Sequence, residues 1–283
     1  MSEKRRIDAH QHFWSYNTEE YGWIDDDMSV LKRDFLPPDL VMLTQKVGID
    51  GTIAVQARQS LEETAWLLDL ADRYPFIEGV VGWFDLCQED VRDQLDMFGR
   101  DSKLVGVRHV VQDEPDDRFM LREDFLRGLA IVGDYDQCYE FLIFPKHLAA
   151  ARSVAEKFPD QRFVVDHIAK PAIAKGIFEP WRTELSELAA FPNVYCKVSG
   201  MVTEADWNSW KPSDFKPYLD LVFDMFGPRR ILIGSDWPVC TVAAAYEDVI
   251  GIVKSYIERF SIEDQEAILG DNAADFYRIK RSE

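Results

Sequence analysis

Two histidines separated by one residue lie at the end of the first apolar segment of the chain. That segment spans 6–13 and contains His10 and His12. If it forms a strand, the alternation of side chains places both histidines on one face, together with Asp8. Two imidazoles on one face at the tip of a strand predict a metal site or an acid–base pair. The alternative is a pair of surface histidines near a terminus.

Other residues of catalytic type follow later apolar segments in the same way. Four of the five histidines lie at the ends of such segments, and the fifth, His147, lies just beyond one. The residues at or just after the segment ends are His10 and His12, Gln56, Trp83 and Asp85, Arg108 and His109, Phe144, His167 and Lys170, Lys197 and Ser199, and Asp236.

Asp236 is the strongest candidate for a catalytic base. It lies in a Gly-Ser-Asp-Trp-Pro sequence at the end of the last apolar segment, where an ionised carboxylate needs polar partners. Histidines from the first and sixth segments would supply them, and such a carboxylate can hold a water molecule and take its proton. Three alternatives are structural: His109 as a core residue, Trp83 as a packing residue, and His147 as a surface or cap residue.

Eight short apolar segments predict the strands that position these residues. Several are rich in Val, Ile and Phe, and they are nearly continuous rather than alternating, as in strands buried on both faces. They span 6–12, 51–56, 77–84, 104–111, 139–144, 163–167, 194–198 and 231–235.

Segments with helical periodicity lie between and after these strands. In 60–74, Ser60 and Glu63 have the spacing of a capping box before an apolar stripe. The predicted helices span 60–74, 121–132, 148–158, 180–191, 215–226, 244–260 and 262–269, and Ser261 is the candidate N-cap of the last.

The alternation of strand and helix predicts an α/β fold, a (β/α)8 TIM barrel that forms a single domain over 1–283. A doubly wound sheet would usually have a glycine-rich turn after its first strand, and none is present. In a barrel, the carboxyl ends of the strands form the active-site mouth, so the candidate residues are expected to meet there.

Composition excludes several classes of partner. The formal net charge is -19 and no basic stripe is present, which argues against nucleic acid and anionic membranes. No apolar segment approaches transmembrane length, and the charged N-terminus does not resemble a signal peptide. Four scattered cysteines without a C-x-x-C pair predict reduced thiols in a cytoplasmic protein. A homo-oligomer is left open.

Seven sequence motifs in order resemble the lactonase branch of the amidohydrolase superfamily, the amidohydrolase-2 type. Its members include hydrolases of L-fuconolactone, L-rhamnonolactone and 2-pyrone-4,6-dicarboxylate. The resemblance runs from residue 6 to residue 278 and rests on 10–14 (HQHFW), 21–24 (YGWI), 106–109 (GVRH), 166–171 (DHIAKP), 197–200 (KVSG), 234–239 (GSDWPV) and 271–277 (DNAADFY).

The resemblance implies a distorted (β/α)8 barrel that hydrolyses a carbonyl centre with an activated water molecule. Asp236 would be the general base. His10, His12 and His167 would bind a metal ion or polarise the lactone carbonyl without one, and His167 would also orient the water. By the resemblance, Arg108 would contact the substrate and Trp23 would line the pocket. The positions of four other residues at strand ends make them further substrate-binding candidates: His109, Gln56, Trp83 and Lys197.

The chain departs from metal-dependent relatives at two strand ends. The fourth predicted strand has no lysine or glutamate to bridge two metals, and the fifth ends in Phe144 and Pro145 instead of a histidine. A single divalent ion, Zn²⁺, on His10, His12 and Asp236 remains compatible, as does catalysis without a metal.

Three functions are therefore considered. The sequence favours hydrolysis of a neutral sugar-acid lactone, because a dicarboxylate would require several arginines and only Arg108 and Arg58 lie near strand ends. A metal-dependent decarboxylase of the same superfamily and a non-catalytic barrel that binds a sugar acid are the alternatives.

Overall fold

Eight parallel strands form a barrel in which each strand pairs with the next along the chain. The structure is a computed structural model that describes residues 5–98 and 100–279. The strands are β1 (Ile7–Gln11), β2 (Gly51–Val55), β3 (Ile77–Gly82), β4 (Leu104–His109), β5 (Cys138–Phe141), β6 (Phe163–Val165), β7 (Val194–Val198) and β8 (Ile231–Ile233).

The barrel closes through the residues that follow β1 and β8. The backbone N–H of His12 donates to the carbonyl of Trp237 (2.7 Å), and the N–H of Asp236 donates to the carbonyl of His10 (2.8 Å). The predicted (β/α)8 fold is therefore confirmed. The single-domain range 1–283 includes residues outside the described ones and stays a prediction.

Helices surround the barrel in the expected order. The described α-helices are α1 (Pro37–Val47), α2 (Leu61–Arg73), α3 (Val91–Phe98), α4 (Glu123–Asp134), α5 (Leu148–Lys157), α6 (Trp181–Ala189), α7 (Pro212–Phe226), α8 (Tyr246–Ile257), α9 (Ile262–Glu266) and α10 (Asn272–Phe276). Within 5–98 and 100–279, no helix combines the length and apolar character needed to cross a membrane.

Helices α1 and α3 were not predicted from the sequence, and α10 was covered only by the 271–277 motif. Helix α3 has eight residues and buries only Val91 and Leu95, which is too few to show a helical period. Helix α1 buries Pro37, Leu40 and Thr44, so its inner face is partly polar. Helices α1 and α3 contribute few apolar side chains to the core: Leu40, Val91 and Leu95.

The helix N-caps agree in part with those predicted from the sequence. Ser60 and Ser261 accept hydrogen bonds from the third residue after each, as N-caps do. Glu63 does not complete a capping box. Its carboxylate instead accepts from the N–H groups of Ala57 and Arg58, both at 2.9 Å, and so fixes the loop after β2.

The amino-terminal end of the barrel is closed by α10. Its residues Ala273 and Phe276, with Tyr277, pack against an interior layer from the strands. That layer contains Ile7, Ala9, Ile53, Val55, Val81, Val105, Cys138, Val164 and Leu232. With this end closed by apolar side chains, the polar site lies toward the carboxyl ends of the strands, as the barrel fold predicts.

Candidate active site

Three histidines and one aspartate converge at the carboxyl end of the barrel. Oδ1 of Asp236 lies 3.4 Å from Nε2 of His12, 3.8 Å from Nε2 of His10 and 3.9 Å from Nε2 of His167. The Nε2 atoms of His10 and His12 are 3.2 Å apart. All four side chains are buried. The residues predicted from three separate strand ends thus share one site.

Asp8 does not join this cluster, so the expectation that it shares a face with the histidines was wrong. The pairing of β1 with β2 shifts register between Asp8 and Gln11, which interrupts the alternation of side chains. Its carboxylate accepts from the N–H of Ser235 (2.9 Å) and from the hydroxyl of Tyr246 on α8 (3.1 Å). Asp8 therefore fastens β1 to the segment that carries Asp236.

Two of the four site residues have left-handed backbone conformations, which direct their side chains into the site. Asp236 has a φ of 58°, and His167 begins a run of four residues with φ between 49° and 59°. This run includes the β-branched Ile168, for which such a φ is strained. Trp181 holds it by donating from Nε1 to the carbonyl of Ile168 (2.6 Å). Strained backbone is common where a side chain must point into an active site.

The segment after β7 accommodates the imidazole of His167. Oγ of Ser199 lies 2.9 Å from its Nδ1. A Cβ on Gly200, whose φ is 59°, would lie only 2.4 Å from the same nitrogen. Ser199 therefore positions the ring of His167, and the absence of a side chain at Gly200 leaves room for it. This is a physical reason for serine and glycine in the 197–200 motif.

Arg108 lies inside the barrel and is held by other protein groups. Its Nη1 donates to Oδ2 of Asp166 (2.9 Å), and its Nη2 donates to the carbonyl of Gln56 (2.5 Å). The side-chain amide of Gln56 donates to the carbonyl of Arg108 (3.3 Å). Among the described residues, Oε1 of Gln56 is buried without a hydrogen-bond partner. Arg108, on β4, therefore connects the carboxyl ends of β2 and β6 beside His10.

Lys197 lies beneath the histidines and is fully buried. Its Nζ contacts Oε2 of Glu140 (2.6 Å), Oδ1 of Asp166 (3.1 Å) and Nδ1 of His10 (3.1 Å). Sequence reasoning placed Lys197 among the substrate-binding groups, whereas the structure surrounds its ammonium with protein acceptors. Sequence reasoning did not identify Asp166 and Glu140, although Asp166 precedes His167 in a quoted motif.

His109 and Trp83 lie together, with His109 facing the loop after β4. Nε2 of His109 is 2.7 Å from Oε1 of Glu114, and its ring stacks on Phe119 at 4.9 Å. Nε1 of Trp83 lies 3.4 Å from Nδ1 of His109. Of the two adjacent residues on β4, Arg108 is therefore the one that contacts the histidine cluster.

Trp23 is on the loop that joins β1 to α1 and is 38% exposed. It packs edge-on against Trp14, which packs on Phe35, which in turn packs on Trp237. This row of aromatic rings connects the exposed Trp23 to the residue after Asp236, which is compatible with a position at the site entrance.

His147 lies apart from the cluster and is buried. Its Nδ1 accepts from the N–H of Phe144 (3.1 Å), so it caps the turn after β5. The surface alternative for His147 is wrong, and the cap alternative agrees with the structure.

Burial and charge give the site groups distinct protonation states. Burial is the largest cause that lowers the pKa of His10 far below its usual value, and it lowers the pKa of His167 to about 4. For Asp236, burial acts in the opposite direction, but the three surrounding histidines outweigh it and lower the pKa. Burial therefore favours the neutral forms of His10 and His167, and the neighbouring histidines favour the ionised form of Asp236.

The donor set fits one divalent metal ion. Suitable ligand atoms of His10, His12 and Asp236 lie within 4.8 Å of one another. Nδ1 of His12 lies 2.7 Å from the carbonyl of Val55, the partner expected for a metal-binding histidine. His10 differs, because its Nδ1 faces the ammonium of Lys197, which only donates.

Comparison with known proteins gives consistent matches over the whole described barrel. The family model for amidohydrolases matches residues 7–279. An L-fucono-1,5-lactonase from Burkholderia multivorans is 41% identical, with 97% of this chain and 96% of that protein covered. An L-fucono-1,5-lactonase from Burkholderia ambifaria is 38% identical, with 98% and 96% covered. A crystal structure of an amidohydrolase from B. multivorans with bound zinc superposes with a TM-score of 0.94 at 41% identity, covering 98% and 100% of the two chains.

Proposed function

Because the chain belongs to the amidohydrolase family, we propose that it hydrolyses the ester ring of a sugar-acid lactone. The observation that carries the proposal is the carboxylate of Asp236 among three buried histidines at the barrel mouth. The two L-fucono-1,5-lactonases at 41% and 38% identity support an aldonolactone as the substrate class.

Asp236 acts as the general base in this proposal. Its carboxylate holds a water molecule and accepts one of its protons as the water oxygen bonds to the lactone carbonyl carbon. His167, whose Nδ1 is fixed by Ser199, orients that water from the other side. When the ring C–O bond breaks, the proton passes from Asp236 to the departing ring oxygen, and the product is a hydroxy acid.

His10 acts on the carbonyl oxygen in the metal-free protein, and His10 and His12 would act on it together through a metal ion if one is bound. Their Nε2 atoms point into the same space as Asp236, where negative charge develops in the tetrahedral intermediate. A divalent ion on His10, His12 and Asp236 would supply Lewis-acid polarisation of that oxygen when bound. The zinc bound in the B. multivorans structure supports this capacity.

A neutral sugar lactone suits the site better than a dicarboxylate. Arg108 is occupied by Asp166 and Gln56, and Arg58 pairs with Glu20 at 2.6 Å. Both guanidinium groups therefore already contact protein carboxylates, and the buried Nε of each lacks a hydrogen-bond partner among the described residues. The unpartnered Oε1 of Gln56 is suited to accept a hydrogen bond from a sugar hydroxyl.

The residues proposed to bind the substrate fall into two groups, according to whether they remain proposed contacts with the sugar or act through other residues. Trp23, Trp83 and Gln56 remain proposed contacts with the sugar. Arg108, Lys197 and His109 are engaged by protein groups, so their proposed effect on the substrate is through the residues that they position.

The test is a panel of aldonolactones of both ring sizes, assayed by acid release with a pH indicator. Turnover of one or more sugar lactones, with 2-pyrone-4,6-dicarboxylate unchanged, is the expected result. Acid release from no member of the panel contradicts the proposal. Measuring carbon dioxide release from aromatic acids and binding of sugar acids tests the decarboxylase and the non-catalytic alternatives.

A further inference from the structure

The ammonium of Lys197 is a buried donor placed against the back of His10. Its three neighbours are Oε2 of Glu140, Oδ1 of Asp166 and Nδ1 of His10. An ammonium has three N–H donors and no acceptor. The contacts with Glu140 and His10 have hydrogen-bond geometry, whereas Oδ1 of Asp166 is close enough for an ion pair but has no hydrogen-bond partner among the described residues. Nδ1 of His10 must then accept, which leaves the ring proton on Nε2.

His12, which contacts the other ring nitrogen of His10, also assigns the proton of His10 to Nε2. The carbonyl of Val55 can only accept, so Nδ1 of His12 carries the proton and its Nε2 presents a lone pair. Nε2 of His10 lies 3.2 Å from that atom. Two lone pairs facing each other at this distance would repel, so a proton or a cation must lie between them.

The opposite tautomer of His10 has weaker contacts. A proton on Nδ1 would point to Oδ1 of Asp166 at 3.4 Å, and Nε2 would accept from Nη1 of Arg108 at 3.3 Å. The contacts of the Nε2–H form are shorter, at 3.1 Å to Lys197 and 3.2 Å to His12. Arg108 also keeps a closer acceptor in Asp166, at 2.9 Å.

Lys197 is held in place from the closed end of the barrel. The hydroxyl of Tyr277, which follows α10, donates to Oε1 of Glu140, and Oε2 of the same carboxylate accepts from Lys197. A chain of contacts therefore runs from the C-terminal helix to His10 through residues that lie deep inside the barrel.

We infer that Lys197 is a positioning residue that fixes His10 as the Nε2–H tautomer, so that a proton and a metal ion compete for one place between His10 and His12. In the metal-free protein this N–H shifts from Nε2 of His12 to the lactone carbonyl oxygen when the substrate binds, a role that rests on the proposed function. Binding of a metal through His10 requires the proton to leave Nε2.

The first test uses the wild-type protein after removal of metal with a chelator. Side-chain ¹⁵N NMR of histidine-labelled protein, with His10 assigned from a His10→Gln variant, distinguishes the protonated ring nitrogen. The expected result is a protonated Nε2 and an unprotonated Nδ1. A protonated Nδ1 overturns the inference. Because this measurement uses the native chain, it does not depend on the folding of a Lys197 variant.

The second test is Lys197→Met, with Lys103→Met as the control. Lys103 donates to the carbonyl of Ile77 at the other end of the barrel, so its loss removes equal charge far from His10. Without Lys197, Asp166 becomes the nearest partner of Nδ1. Lys197→Met is expected to populate Nδ1–H and to tighten zinc binding roughly tenfold, as loss of a charged hydrogen bond implies.

The tautomer of His10 distinguishes a positioning role of Lys197 from simple charge repulsion between Lys197 and a bound zinc ion. Removing the positive charge alone would tighten zinc binding but leave the proton on Nε2. An unchanged tautomer in Lys197→Met therefore overturns the role of Lys197, whatever the zinc affinity. The test is also independent of the substrate: absence of lactone turnover contradicts the proposed function, whereas a wrong tautomer in an active enzyme contradicts only this inference.

Discussion

Nε2 of His12 lies 3.4 Å from Oδ1 of Asp236, although 223 positions of sequence separate the two residues. The contact joins the ends of β1 and β8, where backbone hydrogen bonds close the barrel. Closure and site assembly are therefore the same structural event: the strand pair that completes the fold also brings the base to the histidines.

Replacement of Asp236 by Asn should abolish hydrolysis while preserving the fold. Asn tolerates the left-handed backbone at this position and keeps the shape of the side chain, but it cannot accept a proton from water. A loss of about 10²- to 10⁴-fold in kcat is expected for a missing general base. Asp136→Asn is a matched control, because Asp136 has the same φ of 58° and lies before β5. Near-normal turnover by Asp236→Asn contradicts the proposed role.

Removal of metal should leave lactone hydrolysis intact. The base, Asp236, and the inferred donor, Nε2–H of His10, both belong to the chain, and the inference above places the donor where the metal would bind. The measurement compares turnover after dialysis with and without a chelator, with the metal content determined for both samples. Loss of turnover that returns when zinc is added contradicts this expectation.

Replacement of Arg108 by Gln should destabilise the protein rather than weaken substrate binding alone. It would leave the buried carboxylate of Asp166 with fewer partners and remove the contact with the carbonyl of Gln56. A loss of about 3 kcal/mol in the free energy of unfolding is expected for breaking a buried ion pair. Denaturant unfolding measures this loss. The control is Arg92→Gln, which breaks an exposed ion pair with Asp134 and should change the free energy of unfolding little. Unchanged unfolding with a raised KM would instead indicate a direct substrate contact.

The sequence predicted the site residues better than their supporting contacts. His10, His12, His167 and Asp236 were found because a parallel barrel brings its strand ends together whatever their separation along the chain. The partners Glu140 and Tyr277 lie deeper in the barrel, and neither has a local signature for a contact with Lys197. Asp8 was assigned to the wrong face because a register shift in β1 has no clear signal in a short apolar segment.

Glu63 should make the protein less stable as the pH rises through the weakly acidic range. Burial raises its pKa from 4.5 to about 7, so the folded state holds the proton more tightly than the unfolded state does. This contribution is fully present below pH 4.5 and is lost as the pH approaches 7, with a maximum of about 3 kcal/mol.

Glu63→Gln removes this dependence, and Glu62→Gln on the same helix is the exposed control. The free energy of unfolding of each protein is measured between pH 4 and about 8 across the predicted window. The difference between wild type and Glu63→Gln should change over that window. The curve for Glu62→Gln should run parallel to that of wild type above about pH 6, because the hydrogen bond with Ser60 lowers the pKa of Glu62 from 4.5 and its carboxyl is ionised in both states there. A constant difference between wild type and Glu63→Gln contradicts the raised pKa.

Replacement of Trp23 by Ala should raise KM and leave the fold unchanged. The ring is 38% exposed on the loop after β1 and makes an edge-on contact with Trp14, so its removal leaves little buried space. If it covers the bound sugar, losing it should weaken substrate binding by about 1 kcal/mol, or roughly fivefold in KM. Steady-state kinetics give the result, and Met97→Ala on α3, which removes another exposed apolar side chain, should leave KM unchanged. A lower stability with an unchanged KM would assign Trp23 to packing of the loop instead.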